Sequence, residues 1–287
     1  MADKSKIEWC DASWSPVVGC TKVSAGCENC YAEKMAVRLA AMYRKDSIKY
    51  KHLEKYDYVI TNGKWNGKIF CDESALDKPL HWKKPRMVFV CSMSDLFHKS
   101  VPYEFIDKVF DTMLSCPQHT FQLLTKRPEI ALDYYQSVKS DVAEVGEPSL
   151  IEYAENIWFG WTAENQSMMD LRTPIGLQIP AAVLFVSIEP MLEDMSLNMW
   201  VSESESLIDW VIVGCESGHG ARYCPEKNIR NVVTQCKDAG VPIFVKQMHI
   251  YGMDWRMNKA IKDVNLFPKD LQVREYPKGA DENAGNE

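Results

Sequence analysis

The sequence predicts an α/β fold, a partial or full parallel (β/α) barrel of about six to seven strands. Two observations carry the fold class. Short apolar runs rich in Val, Ile and Phe recur along the chain, continuous rather than alternating, as strands buried on both faces require. Between them lie segments whose apolar residues recur every three to four positions, the period of an amphipathic helix. Strands alternating with helices build βαβ units and hence a parallel sheet. An open doubly wound sheet is the alternative.

In chain order, the first strand is expected within Ser13–Gly19 (SWSPVVG). Six more follow at Met87–Cys91, Phe121–Thr125, Ile157–Thr162, Ala182–Ser187, Trp210–Gly214 and Pro242–Gln247. Helices are expected over Glu28–Arg44, with Tyr31, Met35, Leu39 and Met42 as its apolar stripe, over Tyr103–Ser115, and over Pro225–Ala239 with Gly240 as C-cap. Two insertions interrupt the pattern, at 45–85 (with Trp65 and Trp82) and at 191–209. With no repeat and no linker, residues 1–277 read as one domain. The polar end 278–287 (KGADENAGNE) reads as a flexible tail.

A net charge of −7 argues against a protein that grips nucleic acid through many phosphates. Lys83, Lys84 and Arg86, and Lys126 with Arg127, are the candidate local basic patches, though such runs are commonly just solvated surface. The N-terminus has no apolar signal region, and the apolar runs fall short of the ~20 residues that span a bilayer. The expectation is a cytoplasmic protein with no membrane contact. Ten cysteines in a reducing compartment point to metal rather than to disulfides.

Three of them, Cys20, Cys27 and Cys30, have the spacing C-x6-C-x2-C in GCTKVSAGCENCYAE, on a loop between the first strand and the first helix. Three thiolates can hold three irons of a [4Fe-4S] cluster and leave the fourth open to a ligand. A helix N-terminus beside the loop favours anionic sulfur. A structural zinc site and scattered buried thiols are the competing readings. Zinc asks for a fourth ligand that no second Cys or His pair supplies.

Chemistry in such barrels sits at the C-terminal ends of the strands, and here those ends are polar. Tyr31, Ser92, Ser94, Thr125 and Lys126 are candidates to bind S-adenosylmethionine (SAM) as cofactor. So are Glu164, Asn165, Glu189, Glu216 and Gln247, since SAM presents an amino-acid end, a ribose and a purine. Asp95, Lys126, Cys91 and Cys215 are the candidate catalytic residues. For Cys91 and Cys215 the plainer reading is a small buried hydrophobe. For Ser94, Asp95 and Ser217 it is a helix cap.

The stretches IEWCDASWSPVVGCTKVSAGCENCYAE, CSMSDLFHKSVP, LLTKRP, SIEPML, WVIVGCESGHGAR and AGVPIFVKQ, spread in order over about residues 7 to 250, together resemble a phage- and prophage-encoded family. That family is named for its three-cysteine motif, is of unknown function, and is radical-SAM-like. Cys91, Trp161 and Cys215 depart from its pattern. The resemblance implies an enzyme that needs an external one-electron reductant and abstracts hydrogen from its substrate. It also implies the cytoplasm of the host cell as its place. Phage association makes an isomerase acting on a thymidine-derived base in DNA, or on a modified nucleotide, the leading expectation. Trp65, Trp82 and Lys83–Arg86 would be contacts to the strand. A free small molecule as substrate, and a zinc-stabilised binding protein, are the alternatives.

Overall fold

The computed structural model describes residues 5–145, 154–202, 206–249 and 260–278. The chain begins with β1 (Ala12–Trp14) and β2 (Val17–Val18), then α1 (Tyr31–Lys45), α2 (Glu54–Val59) and the short strands β3 (Ile60–Thr61), β4 (Lys64–Trp65) and β5 (Phe70–Cys71). Strands and helices alternate from there: β6 (Met87–Val90), α3 (Tyr103–Leu114), β7 (Thr120–Thr125), α4 (Pro128–Val145), β8 (Ile157–Thr162), α5 (Gln166–Gly176), β9 (Val183–Ile188), β10 (Trp210–Gly214), α6 (Glu226–Asp238) and β11 (Ile243–Gln247).

Strand β1 and strands β6 to β11 form one all-parallel sheet in the order β1-β6-β7-β8-β9-β10-β11. The sheet curls into a half-barrel, the partial form of the expected architecture. Because side chains alternate along a strand, the sheet has two distinct apolar faces. The outer face (Val88, Val90, Phe121, Leu123, Phe159, Val211, Val213, Ile243) packs under the helices with Phe105, Ile106, Val109, Ile229 and Val232. The concave face is mostly aromatic: Trp9, Phe89, Trp158, Phe185, Trp210 and Phe244 form a separate cluster, with Trp9 at 4.7 Å from Phe89 and Trp210 at 5.6 Å from Phe185. A half-barrel leaves an interior that only large side chains can fill. Gly160 makes room there, since a Cβ at this position would lie 2.5 Å from the Phe185 ring.

An open sheet also leaves edges, which proteins cover. Along β11 this is done by the C-terminal segment. Val245 N–H donates to Val273 O at 2.9 Å, and Glu275 N–H donates to Ile243 O at 3.0 Å. Tyr276 then lies 5.5 Å from Trp210 and from Phe244.

Two expectations change, and the two insertions take shape. The first strand is split, because Pro16 lacks an N–H for the ladder. Only Ala12–Trp14 joins the main sheet, whereas Val17–Val18 pairs antiparallel with Phe70–Cys71. Helix α1 buries Ala32, Ala36 and Ala40, while Tyr31, Met35 and Met42 stay exposed. Its small residues let α2 and Tyr56 approach closely. The 45–85 insertion is ordered around that contact, as α2, the hairpin β3–β4 and strand β5. The 191–209 insertion carries no helix among its described residues. It stands in for one, with Met191, Met195, Leu197 and Val201 buried and Leu197 N–H donating to Gln235 Oε1 of α6 at 2.6 Å. Of the predicted tail, 279–287 lies outside the described residues. Gly240 caps α6 with φ +67°, as expected.

Replacing Gly160 with Ala forces a methyl into the fully buried Phe185 ring. Overpacking of this kind costs about 1–3 kcal/mol. We expect the urea midpoint to fall by that equivalent with an unchanged slope, the slope reporting an unaltered unfolded state.

Candidate functional site

The C-terminal ends of the strands surround a single cavity, and the loop between β2 and α1 forms its opposite wall. Cys20, Cys27, Cys30, Cys91 and Cys215 all line it, as do Tyr31, Ser92, Ser94, Asp95, Thr125, Lys126, Glu189 and Glu216. Thirteen of the sixteen sequence candidates thus share one space. Glu164, Asn165 and Gln247 do not line it.

The loop follows Gly19, whose φ of +101° suits glycine and whose Cβ would lie 2.4 Å from Lys68 O. A short 3-10 turn over Ala25–Cys27 leads to Cys30, the residue preceding α1. The three thiols are free and half-buried. What fixes them is a set of three arginine–carboxylate pairs, each on a different strand end.

The first pair follows β6 and β7. Asp95 accepts from Arg127 at 2.8 Å, from the Thr125 hydroxyl at 2.7 Å, and from the N–H groups of Phe97 and Lys126 at 3.1 Å each. Arg127 turns its other nitrogen to the loop, donating to Thr21 O at 2.8 Å and to the Cys20 sulfur at 3.9 Å. His98 Nδ1 accepts from Ser100 N–H, so Nε2 carries the proton and donates to Thr21 Oγ1 at 2.9 Å. Burial first, and Arg127 second, lower the His98 imidazole to about 4. Burial also pushes the Cys20 thiol up to about 11, reinforced by Asp95 and opposed by Arg127.

The second pair follows β8. Glu164 is fully buried, accepts from Arg172 at 2.9 Å and from Gly26 N–H at 3.0 Å, and leaves no room for a Cβ at Gly26. The third pair follows β10. Glu216 accepts from Arg222 at 2.5 Å and from the Asn29 amide at 2.9 Å. Arg222 continues to Ala25 O at 2.9 Å and Glu28 at 3.0 Å. Burial would raise both glutamates, but these donors hold each below the ordinary carboxylate range.

The sequence reading therefore needs correcting at several residues. Glu164 sits behind the loop and holds it, and it does not line the cavity. Asn165 caps α5, accepting from Met168 N–H at 2.9 Å. Gln247 is buried and donates to Cys215 O at 2.7 Å and to Glu189 at 3.3 Å. Asp95, Thr125 and Glu216 reach the cavity but are engaged as described. Ser94 donates to Val17 O at 2.8 Å. Trp161 faces away from the cavity, packing on Gly176 and donating to Thr173 at 3.0 Å. Trp82 and Arg86 stack at 5.0 Å at the N-terminal end of β6, with Lys83 and Lys84 beside them, so this group lies at the opposite end of the sheet from the cavity.

Cys91 has left-handed backbone at φ +61°, uncommon for a residue with a side chain. Burial pushes its thiol up to about 12 and the Cys215 thiol well up, so both are neutral S–H groups at neutral pH. Tyr31 donates to Ser92 O at 2.8 Å. On the concave side Lys246 donates to Glu189 at 2.5 Å and Lys126 to Thr162 Oγ1 at 3.3 Å.

Asn29, Arg172 and Arg222 were not anticipated from sequence. A signal existed for the arginines: Arg172 and Arg222 follow their glutamates by eight and six residues.

Among the described residues, no three His, Cys, Asp or Glu side chains converge to hold one metal ion. Cys20, Cys27 and Cys30 nevertheless line the same cavity. The Arg127 guanidinium lies at Cys20, where it only partly offsets burial and Asp95, and Cys30 immediately precedes α1.

Fold and site define a parallel half-barrel with a clamped cysteine loop over its strand ends. The chain belongs to the family described as protein of unknown function (DUF5131), which matches residues 4–276. No curated protein and no solved structure matches it. No helix among the described residues is long and apolar enough to cross a membrane.

Removing Glu164 strands Arg172 in the interior and frees Gly26. Breaking a buried pair costs about 3–5 kcal/mol. Glu164→Ala should lose stability on that scale and expose Cys27 to faster thiol labelling. Glu216→Ala should lose less stability, because Arg222 is one-third exposed. The His98 shift is downward, so the stability it contributes is whole above 6.5 and is lost as pH falls toward about 4. Denaturant midpoints measured across that window should decline, and the decline should be smaller in His98→Gln, with buried His119, also shifted downward, contributing to what remains.

Proposed function

We propose that the protein is a radical SAM enzyme whose [4Fe-4S] cluster is held by Cys20, Cys27 and Cys30. The observation that carries this reading is that three unpaired thiols on one clamped loop face the polar ends of a parallel half-barrel across a shared cavity. When bound, the cluster would supply, from an external one-electron reductant, the electron that reductive cleavage of SAM and hydrogen abstraction from the substrate require. The chain's own residues do the rest.

Asp95 and Glu216 through their arginines, and Glu164 directly at Gly26 N–H, hold the cysteine loop over the strands. With those carboxylates committed and the Ser92 hydroxyl engaged by Ser13 and Ser15, the second oxygen of Glu189 and the hydroxyls of Ser187 and Ser217 are the acceptors and donors left to orient SAM. Trp9, Phe89 and Leu124 wall the cavity with apolar surface and exclude water from a reactive intermediate. The buried S–H groups of Cys91 and Cys215 are poised to return a hydrogen atom or retain a proton.

For the substrate we carry forward a thymidine-derived base in phage DNA, with isomerisation as the reaction, in the cytoplasm of the host. With Trp82–Arg86 at the far end of the sheet, the support for DNA rests on the resemblance alone. A free nucleotide or another small molecule fits the cavity without a strand contact.

Anaerobic purification tests the reading. A brown protein with about four irons per chain is expected, producing 5′-deoxyadenosine from SAM under dithionite. Cys20→Ala, Cys27→Ala and Cys30→Ala should each remove colour and SAM cleavage. A colourless protein with one zinc, or cleavage that survives all three substitutions, would sink it.

A further inference from the structure

Six charged side chains line this cavity among the described residues, and they divide unequally. Asp95 pairs with Arg127, Glu216 pairs with Arg222 from outside the lining, and Glu189 pairs with Lys246, whose side chain is only 11% exposed. Lys126 is left over. Its backbone N–H is used by Asp95, but among the described residues the ammonium of half-buried Lys126 has a single partner, the Thr162 hydroxyl at 3.3 Å, and no carboxylate. An ammonium has three donors and a large desolvation cost. One hydroxyl compensates little of that cost. Lys126 lies on the concave face, two residues beyond Leu124, with Phe89 and Trp9 as neighbouring cavity wall and Ser187 across the sheet. A cation without a counter-charge beside apolar surface matches a ligand with an anionic group on an apolar or aromatic body.

We propose that Lys126 marks the substrate subsite, which takes a small organic anion, a carboxylate or a phosphate monoester carrying an apolar or aromatic body. The anion pairs with the Lys126 ammonium, and the Thr162 hydroxyl orients that ammonium. The body lies against Leu124, Phe89 and Trp9. The anion site is read from the cavity and does not require the cluster; that its ligand is the substrate rests on the function proposed above.

Benzoate and phenyl phosphate serve as probes, with benzyl alcohol as their neutral counterpart. Binding to the anaerobically purified chain is followed by saturation-transfer NMR, in the wild type and in Lys126→Met. S-adenosylhomocysteine binding and iron content are measured in parallel. At least one anion should bind about tenfold or more tightly than benzyl alcohol, and Lys126→Met should remove that preference. Which anion binds tells carboxylate from phosphate. The variant should keep its iron content and its affinity for S-adenosylhomocysteine. The proposal is overturned if neither anion is preferred, or if Lys126→Met leaves the preference intact. It is also overturned if S-adenosylhomocysteine weakens by the same factor, because Lys126 would then serve the amino-acid carboxylate of SAM. A chain without iron that still binds the anion through Lys126 would refute the cluster and leave this subsite standing.

Discussion

The geometry of this protein depends on three buried or half-buried arginine–carboxylate pairs that tie one loop to three strand ends. Asp95–Arg127 acts at Thr21 and Cys20, Glu164–Arg172 at Gly26, and Glu216–Arg222 at Ala25 and Glu28. Taking such ions out of water costs nearly as much as their attraction returns, so they are poor sources of stability. They are effective sources of position, because any displacement leaves a charge unpaired in a poor dielectric. A glycine-containing loop would otherwise sample many conformations, and ordering it has an entropic cost that these contacts must meet. The carboxylates come from the ends of β6, β8 and β10, alternate strands of the sheet, so the loop is held across its width.

Below the loop, the two-residue period of a strand decides what the cavity is made of. One parity faces the helices. The other faces the concave side, as Phe89 of β6, Leu124 of β7, Trp158 of β8, Phe185 of β9 and Phe244 of β11. Carried two to four residues further toward the C-terminal ends, the same parity presents Lys126, Thr162, Ser187, Glu189 and Lys246. An aromatic layer therefore closes the interior at mid-strand and a polar layer begins directly above it. The layer is tight, as the Gly160–Phe185 contact shows, so the depth of the cavity is a packing consequence.

Much of this was legible in the chain. Continuous apolar runs located the strands of the sheet, because a buried parallel strand needs apolar side chains on both faces. The cysteine spacing located the loop. Helix α1 was misread for a physical reason: Ala32, Ala36 and Ala40 carry little hydrophobic signal, yet their small size is what allows close packing, so the larger Tyr31, Met35 and Met42 looked like the buried face. Helix α4 was missed between strands, although Ala131, Tyr134 and Tyr135 are buried at helical spacing. Helix α5 was missed because its sequence is polar and contains Pro174. The strand-end carboxylates were found as residue types, but their task was not. Glu164 meets Gly26 across 138 residues, and no local pattern reports a contact of that range.

That range also separates holding from binding. Asp95, Glu164 and Glu216 were natural candidates for a ligand because carboxylates at a barrel rim usually face one. Each is engaged by an arginine and by donors of the loop or its own strand end. A group so engaged has little capacity left for a ligand, and withdrawing it would release the loop. The cysteine wall is therefore electrostatically closed before any ligand arrives. On the concave wall the Glu189–Lys246 pair is closed as well, and Lys126 is not. An uncompensated cation in a partly desolvated cavity is disfavoured by the fold alone. Its persistence beside three satisfied pairs distinguishes the side of the cavity that carries the loop from the side with charge to offer.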